Sequence, residues 1–205
     1  MYKQADKGIT LLNKRYVTLF GRLKNLTKYD ERNVVEAVNK IFDEINSLTL
    51  KVYVNIAQSV YREITKDEDT EDIIDEMWVL AFLQEYDSIT KYVYLSEADR
   101  KRTRLIEAMI ASDNKSAEAN TAMKIWSRQS TQACIEITDR AAQKAYLDSG
   151  IDKVIWETED DIKVCEICEK RDGRVYSLEN VPGKPHYNCR CWLRPFVEGK
   201  DIWNL

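Results

Sequence analysis

The chain has 205 residues, 44 % of them hydrophobic and 32 % charged, with only six Gly, three Pro and a formal net charge of −4. That balance suits a soluble, helix-rich globular protein and excludes collagen-like and low-complexity classes. No apolar run reaches the roughly 18–20 residues that span a bilayer. The N-terminal MYKQADKGITLLNKRY has charges scattered through it where a secretory signal needs an apolar stretch. An intracellular origin is the expectation, with no membrane partner.

Taken in chain order, the first segment repeats apolar residues at Ile9, Leu12, Tyr16, Leu19, Leu23 and Leu26, steps of three and four that define one helix face. The same segment is basic. Lys3, Lys7, Lys14, Arg15, Arg22, Lys24 and Lys28 stand against the single acid Asp6, a local balance of +6 suited to nucleic acid or an acidic protein surface. A second run, Val34, Val38, Ile41, Ile45, Leu48, Val52, Ile56 and Val60, predicts one long helix from Asp30, its N-cap, to Thr65.

Residues 67–87 hold nine acids and no base. They predict a third helix whose acids crowd its N-terminal turns, with Ile73, Ile74, Met77, Trp78, Ala81 and Phe82 on the buried side. The β-prone TKYVYL leads to Ser96, which with Asp99 makes a near capping box for a fourth helix through LIEAMIA. A second basic cluster, Arg100, Lys101, Arg102 and Arg104, lies at its start. A fifth helix is expected from Ser116 to Asp148, with a stripe of Ala122, Trp126, Ala133, Ile137, Ala141 and Ala145, ended at Ser149-Gly150. Cys134 beside that stripe reads as core packing.

After Gly150 the texture changes. IDKVIWET is β-branched and aromatic and predicts a strand, and the Asp172-Gly173 pair predicts a hairpin turn. Four of the five cysteines crowd into positions 165–191, as Cys165-x-x-Cys168 followed by His186-x-x-Cys189-x-Cys191. In a reducing compartment such clustering reads as metal binding rather than as a disulfide frame. Two thiolates three residues apart grip an ion from a tight turn, and a second pair from a distant loop completes a tetrahedron. Soft thiolate and imidazole donors favour Zn²⁺ over harder cations. Four protein ligands leave no open position, so the site would be structural. Five donors compete for those positions; the knuckle-like spacing favours His186 with Cys189, and Cys191 substitutes or packs nearby. Trp156, Tyr176, Trp192 and Phe196 are the expected small core around the ion.

The expected fold is therefore mostly α: a helical bundle over residues 1–150, and over residues 151–205 a small zinc-stabilised β-hairpin module. Residues 154–195, VIWETEDDIKVCEICEKRDGRVYSLENVPGKPHYNCRCWLRP, resemble the C-terminal signature of the phage Mu F-like, or head-morphogenesis, family of tailed-phage minor head proteins. The matching elements are Trp156 and Thr158, the CxxC, Asp172-Gly173 and the terminal HxNCRC of His186, Asn188, Cys189, Arg190 and Cys191. The resemblance implies a virion component assembled in the host cytoplasm and placed in the capsid interior near the portal. Its partners would be the portal protein and the major capsid protein, with double-stranded DNA handled in packaging or ejection. It implies no small-molecule substrate.

Two other readings compete. A small zinc-containing nucleic-acid-binding protein draws on the basic first helix, against an acidic overall balance. An ADP-ribosyltransferase-like enzyme draws on the ExE pattern Glu157-Thr158-Glu159, without the separate Arg and Ser-Thr-Ser strands such a site needs. A histidine-dependent nuclease or hydrolase would have to take His186, the one histidine, away from the metal. No catalytic residue is assigned, and the expectation is a non-enzyme.

Overall fold

The computed structural model describes residues 2–26, 30–67, 69–90, 98–159, 164–186, 189 and 191–198. Lys28, residues 91–95 of the β-prone stretch, Ser96, Asn188 and Arg190 lie outside the described residues.

Five helices of three or more turns form the body: α1 (Lys3–Lys24), α2 (Glu31–Thr65), α3 (Glu76–Thr90), α4 (Ala98–Ala111) and α5 (Lys115–Asp148). α1, α2 and α5 pack mutually, α3 lies on α2, and α4 bridges α2 and α5. The mostly α architecture expected from periodicity is what forms. α2 begins where its cap demands, since the Asp30 side chain accepts the Asn33 N–H at 3.0 Å. Asn114 caps α5 through the Ala117 N–H at 3.0 Å. α5 ends in a Schellman motif around Gly150 at φ 76°, with Ile151 N–H bonded to the Tyr146 carbonyl and Gly150 N–H to that of Leu147, both at 2.9 Å.

The three long helices close on a core that includes Leu12, Phe20, Val38, Ile45, Ala133 and Ile137. Gly8 marks a close α1–α2 approach: a Cβ built there would lie 2.6 Å from Ile56 Cδ1 and 3.0 Å from Val52 Cγ1. Tyr16 ties all three helices together. Its hydroxyl hydrogen-bonds Thr49 on α2 and Ser130 on α5, each at 2.7 Å, and burial raises its pKa to about 12. Cys134 is fully buried, in keeping with a packing role.

The third helix differs from expectation in start and phase. Residues 70–72 form a separate 3₁₀ turn, and α3 starts only at Glu76, after Asp75 accepts the Trp78 N–H at 2.7 Å. The break resets the helical phase. Ile74, Val79 and Leu83 are buried, Trp78 and Phe82 are half-buried, and Met77 is 69 % exposed with Ala81 also exposed. The acids at 67–72 therefore precede the helix.

The C-terminal module is a three-stranded antiparallel sheet in the order β2-β1-β3, built from β1 (Lys153–Glu157), β2 (Val175–Ser177) and β3 (Trp192–Pro195). The hairpin expected around Asp172-Gly173 has a different anatomy. Its strands are β1 and β2, paired Val154 to Tyr176, and the cysteine knuckle is the long excursion between them. Asp172-Gly173 closes that excursion: Gly173, at φ 69°, donates to the Trp156 carbonyl at 2.8 Å, and Asp172 Oδ1 accepts the Thr158 N–H at 2.8 Å. The alternation of β1 sends Val154 and Trp156 to one face, where they join Leu178 and Leu193. Tyr176, Trp192 and Phe196, expected in this core, are only half-buried, because the sheet is too short to cover them. The apolar core runs without interruption from the helices into the module.

Candidate metal centre and the clamp beside it

The knuckle starts with Cys165, which caps the four-residue helix α6 (Glu166–Glu169); its sulfur accepts the Cys168 N–H at 3.4 Å. This turn places Cys165 and Cys168 side by side. His186, next to Pro185, and Cys189 and Cys191, ahead of β3, supply the second group. Two triads result, Cys165–Cys168–His186 and Cys168–Cys189–Cys191, the ligand atoms of each lying within 4.8 Å of one another. Cys168 belongs to both. All five donors expected from spacing are thus brought together, and the cluster can hold a metal ion.

Burial is uneven across the cluster. Cys168, Cys189 and Cys191 are 0, 1 and 4 % exposed, Cys165 is half-buried and His186 is exposed. Cys168 Sγ and Cys189 Sγ are 3.5 Å apart. Burial opposes the Cys165 thiolate, but hydrogen bonds from Cys168, His186 and the Ile167 backbone outweigh it and bring its pKa down to about 7. Burial raises the Cys168 thiol strongly, and its three cysteine neighbours add to the rise. Cys191 is raised chiefly by burial, with the neighbouring Cys189 adding to the rise and Cys168 opposing it. Buried thiols crowded together resist ionisation until a cation joins them, the electrostatic setting of a metal site.

Beside this cluster lies a polar clamp that sequence reasoning did not foresee. Asp139, on the buried side of α5, pairs with Lys184 at 3.1 Å, and their side chains are 8 and 5 % exposed. The Tyr2 hydroxyl donates to Asp139 Oδ1 at 2.6 Å and approaches the Cys191 carbonyl at 2.7 Å, while Lys184 Nζ reaches both the Tyr2 oxygen and that carbonyl. Lys184 also lies 5.7 Å from the Trp156 ring centroid, with Arg171 at 5.0 Å. Burial raises the Asp139 pKa, and Lys184 and then Tyr2 partly offset that. The clamp joins the chain's second residue, the last long helix and the metal loop. The one sequence signal for it was an acid placed among the apolar positions of α5.

The predicted basic surface is dispersed along α1. Lys3, Lys7, Lys14, Arg15 and Arg22 are exposed and Lys24 is half-buried. Lys3, Lys7 and Lys14 line an open groove of about 870 Å³ whose wall also includes Tyr2, Leu11, Trp192 and the acids Asp6 and Glu159. Arg22 lies outside it, engaged with Glu44 at 2.8 Å. Glu157 of the ExE pattern is paired with Arg194 at 2.8 Å.

A helical body closed by a cysteine-rich, metal-capable β module defines the class of protein. The family model described as Phage Mu protein F like protein matches residues 55–194, and the chain belongs to that family. It is accordingly a phage head-related, virion-associated protein. The match covers α5, the knuckle and the sheet, and it leaves out α1. Neither a curated protein nor a solved structure gives a significant match. No described helix is long and apolar enough to cross a membrane.

Proposed function

We propose that this chain is a minor head protein of a tailed phage that works by binding rather than by catalysis, with a structural Zn²⁺ in its C-terminal module. The observation that carries this reading is the coincidence of the family match with the cysteine cluster. The donor set fits zinc, since thiolates and one imidazole are soft ligands and, among the described residues, the cluster contains no carboxylate donor. Bound zinc would fix the knuckle to the loop before β3, and so hold the sheet against α5. Its partners are the portal protein and the inner surface of the major capsid protein, and the protein sits in the head interior near the portal.

The α1 groove is the contact for double-stranded DNA in packaging or ejection, its three lysines outnumbering the acids Asp6 and Glu159 and available to phosphates. The test is co-purification of the tagged, zinc-loaded protein with its cognate portal protein, alongside DNA binding at graded salt. Stable portal capture supports the reading. Failure to capture portal or capsid protein, with tight and salt-sensitive DNA binding, would favour a free-standing zinc-containing nucleic-acid binder instead.

A further inference from the structure

Five donors surround a centre that needs four, and the structure separates them by role. We infer that the metal is held by four thiolates, Cys165, Cys168, Cys189 and Cys191, and that His186 stands outside as a hydrogen-bond donor to Cys165. The assignment rests on the zinc reading above and deepens it.

Three sulfurs form the buried corner of the cluster. Cys168, Cys189 and Cys191 lie within 4.8 Å of one another and are at most 4 % exposed. The Cys168–Cys189 separation of 3.5 Å is close to the edge of a tetrahedron with zinc–sulfur bonds, about 3.8 Å from bonds of roughly 2.3 Å. An ion in contact with Cys168 and Cys189 therefore lies beside Cys191 as well.

Cys191 is also the best-anchored member of the cluster. Its carbonyl is held by Tyr2 and Lys184, and Lys184 is held by Asp139. The Trp156 indole Nε1 is buried with no hydrogen-bond partner among the described residues, in a side chain only 2 % exposed that packs beside the cluster. A metal-bound thiolate at Cys191 gives that donor an acceptor; a spare neutral thiol there would leave it poorly satisfied.

The fourth position lies between Cys165 and His186, both near Cys168. The knuckle backbone already directs an N–H at the Cys165 sulfur, which fixes it next to Cys168. His186 is exposed, whereas Cys165 is half-buried, and the ligand atoms of both lie within 4.8 Å of Cys168 Sγ. Four thiolates around Zn²⁺ carry a net charge of −2, and the outer donors Trp156 and His186, with the cations Lys184 and Arg171 packed on Trp156, offset it.

The test loads the 205-residue chain with Zn²⁺ or Co²⁺ and counts metal. Wild type should bind one ion per chain, with Co²⁺ d–d bands at the long-wavelength position of four-thiolate sites and no hyperfine-shifted imidazole N–H in its proton NMR spectrum. His186→Ala should keep one ion and the same bands. Cys191→Ala should lose the ion or move the bands to shorter wavelength. Trp156→Phe, which keeps an aromatic ring and removes the N–H, should weaken zinc binding about 10–100-fold.

A shifted imidazole signal in wild type, or loss of the ion in His186→Ala with retention in Cys191→Ala, overturns the four-thiolate assignment and leaves the zinc reading intact. A wild-type protein that binds neither ion overturns both. The wild-type spectra decide the matter even if a cysteine variant fails to fold.

Discussion

The helical body and the C-terminal module solve the same problem by different means. In the body, helices of up to 35 residues bury whole apolar faces, and a single hydroxyl, that of Tyr16, links three of them. In the module, strands of five, three and four residues bury three large apolar side chains, Val154, Trp156 and Leu193, and the 3₁₀ turn after β2 adds Leu178. So little sheet cannot close a core alone; beside it stand a buried ion pair and a cysteine cluster that can hold a metal ion. The contrast teaches that the body is held by many interchangeable contacts and the module by a few specific ones. Damage should therefore be graded in the body and abrupt in the module.

The largest effect should come from metal removal. Chelation should release the module while leaving most of the helix signal in far-UV circular dichroism, with Trp156 fluorescence shifting toward that of exposed indole. Retention of the Trp156 environment after full chelation would break the comparison. Next comes the clamp. Lys184→Met leaves Asp139 buried without its ammonium partner and should cost about 3–5 kcal/mol in denaturant unfolding. The paired change Asp139→Leu with Lys184→Met should recover most of that loss.

The pH dependence of the clamp has a definite sign. Asp139 already has a raised pKa in the folded state, so its ionisation costs stability as pH rises above the ordinary carboxylate value, about 3.9. Removing Lys184 raises that pKa further. The gap between wild type and Lys184→Met should then widen as pH increases from about 4 toward neutrality.

In the body, Gly8→Val should cost about 1–3 kcal/mol through overpacking against Ile56 and Val52, read as a lower melting temperature with no loss of metal. The smallest effect belongs to Asp148. Burial alone would raise its pKa, but hydrogen bonds from Lys144 and Tyr61 lower it below the usual range. Its contribution is present above the ordinary carboxylate pKa and fades as pH falls through the lowered value. With the side chain 33 % exposed, Asp148→Asn should cost at most about 0.5 kcal/mol, less still in high salt.

The same contrast decides what could be read from the sequence. Periodicity located α2 and α5 to within a residue or so, because a repeat sustained over eight or more turns leaves one phase open, and Asp30 and Gly150 mark its ends. It failed at α3, where the break before Glu76 shifts the phase by less than a turn and exposes Met77. In the module the cysteine spacing carried the cluster, since that chemistry is local to a few residues. The strand pairing was misjudged because Asp172-Gly173 looks like a hairpin turn but closes the knuckle onto β1. The Tyr2–Asp139–Lys184 clamp joins positions up to 182 residues apart, and no local pattern encodes such a meeting.

The central claim is that a metal ion completes this module, and the most direct measurement is native mass spectrometry of protein purified without added metal, before and after chelation. One zinc per chain is expected, lost on chelation together with a clear fall in melting temperature. A metal-free chain whose module stays folded and whose melting temperature is indifferent to chelator would contradict it.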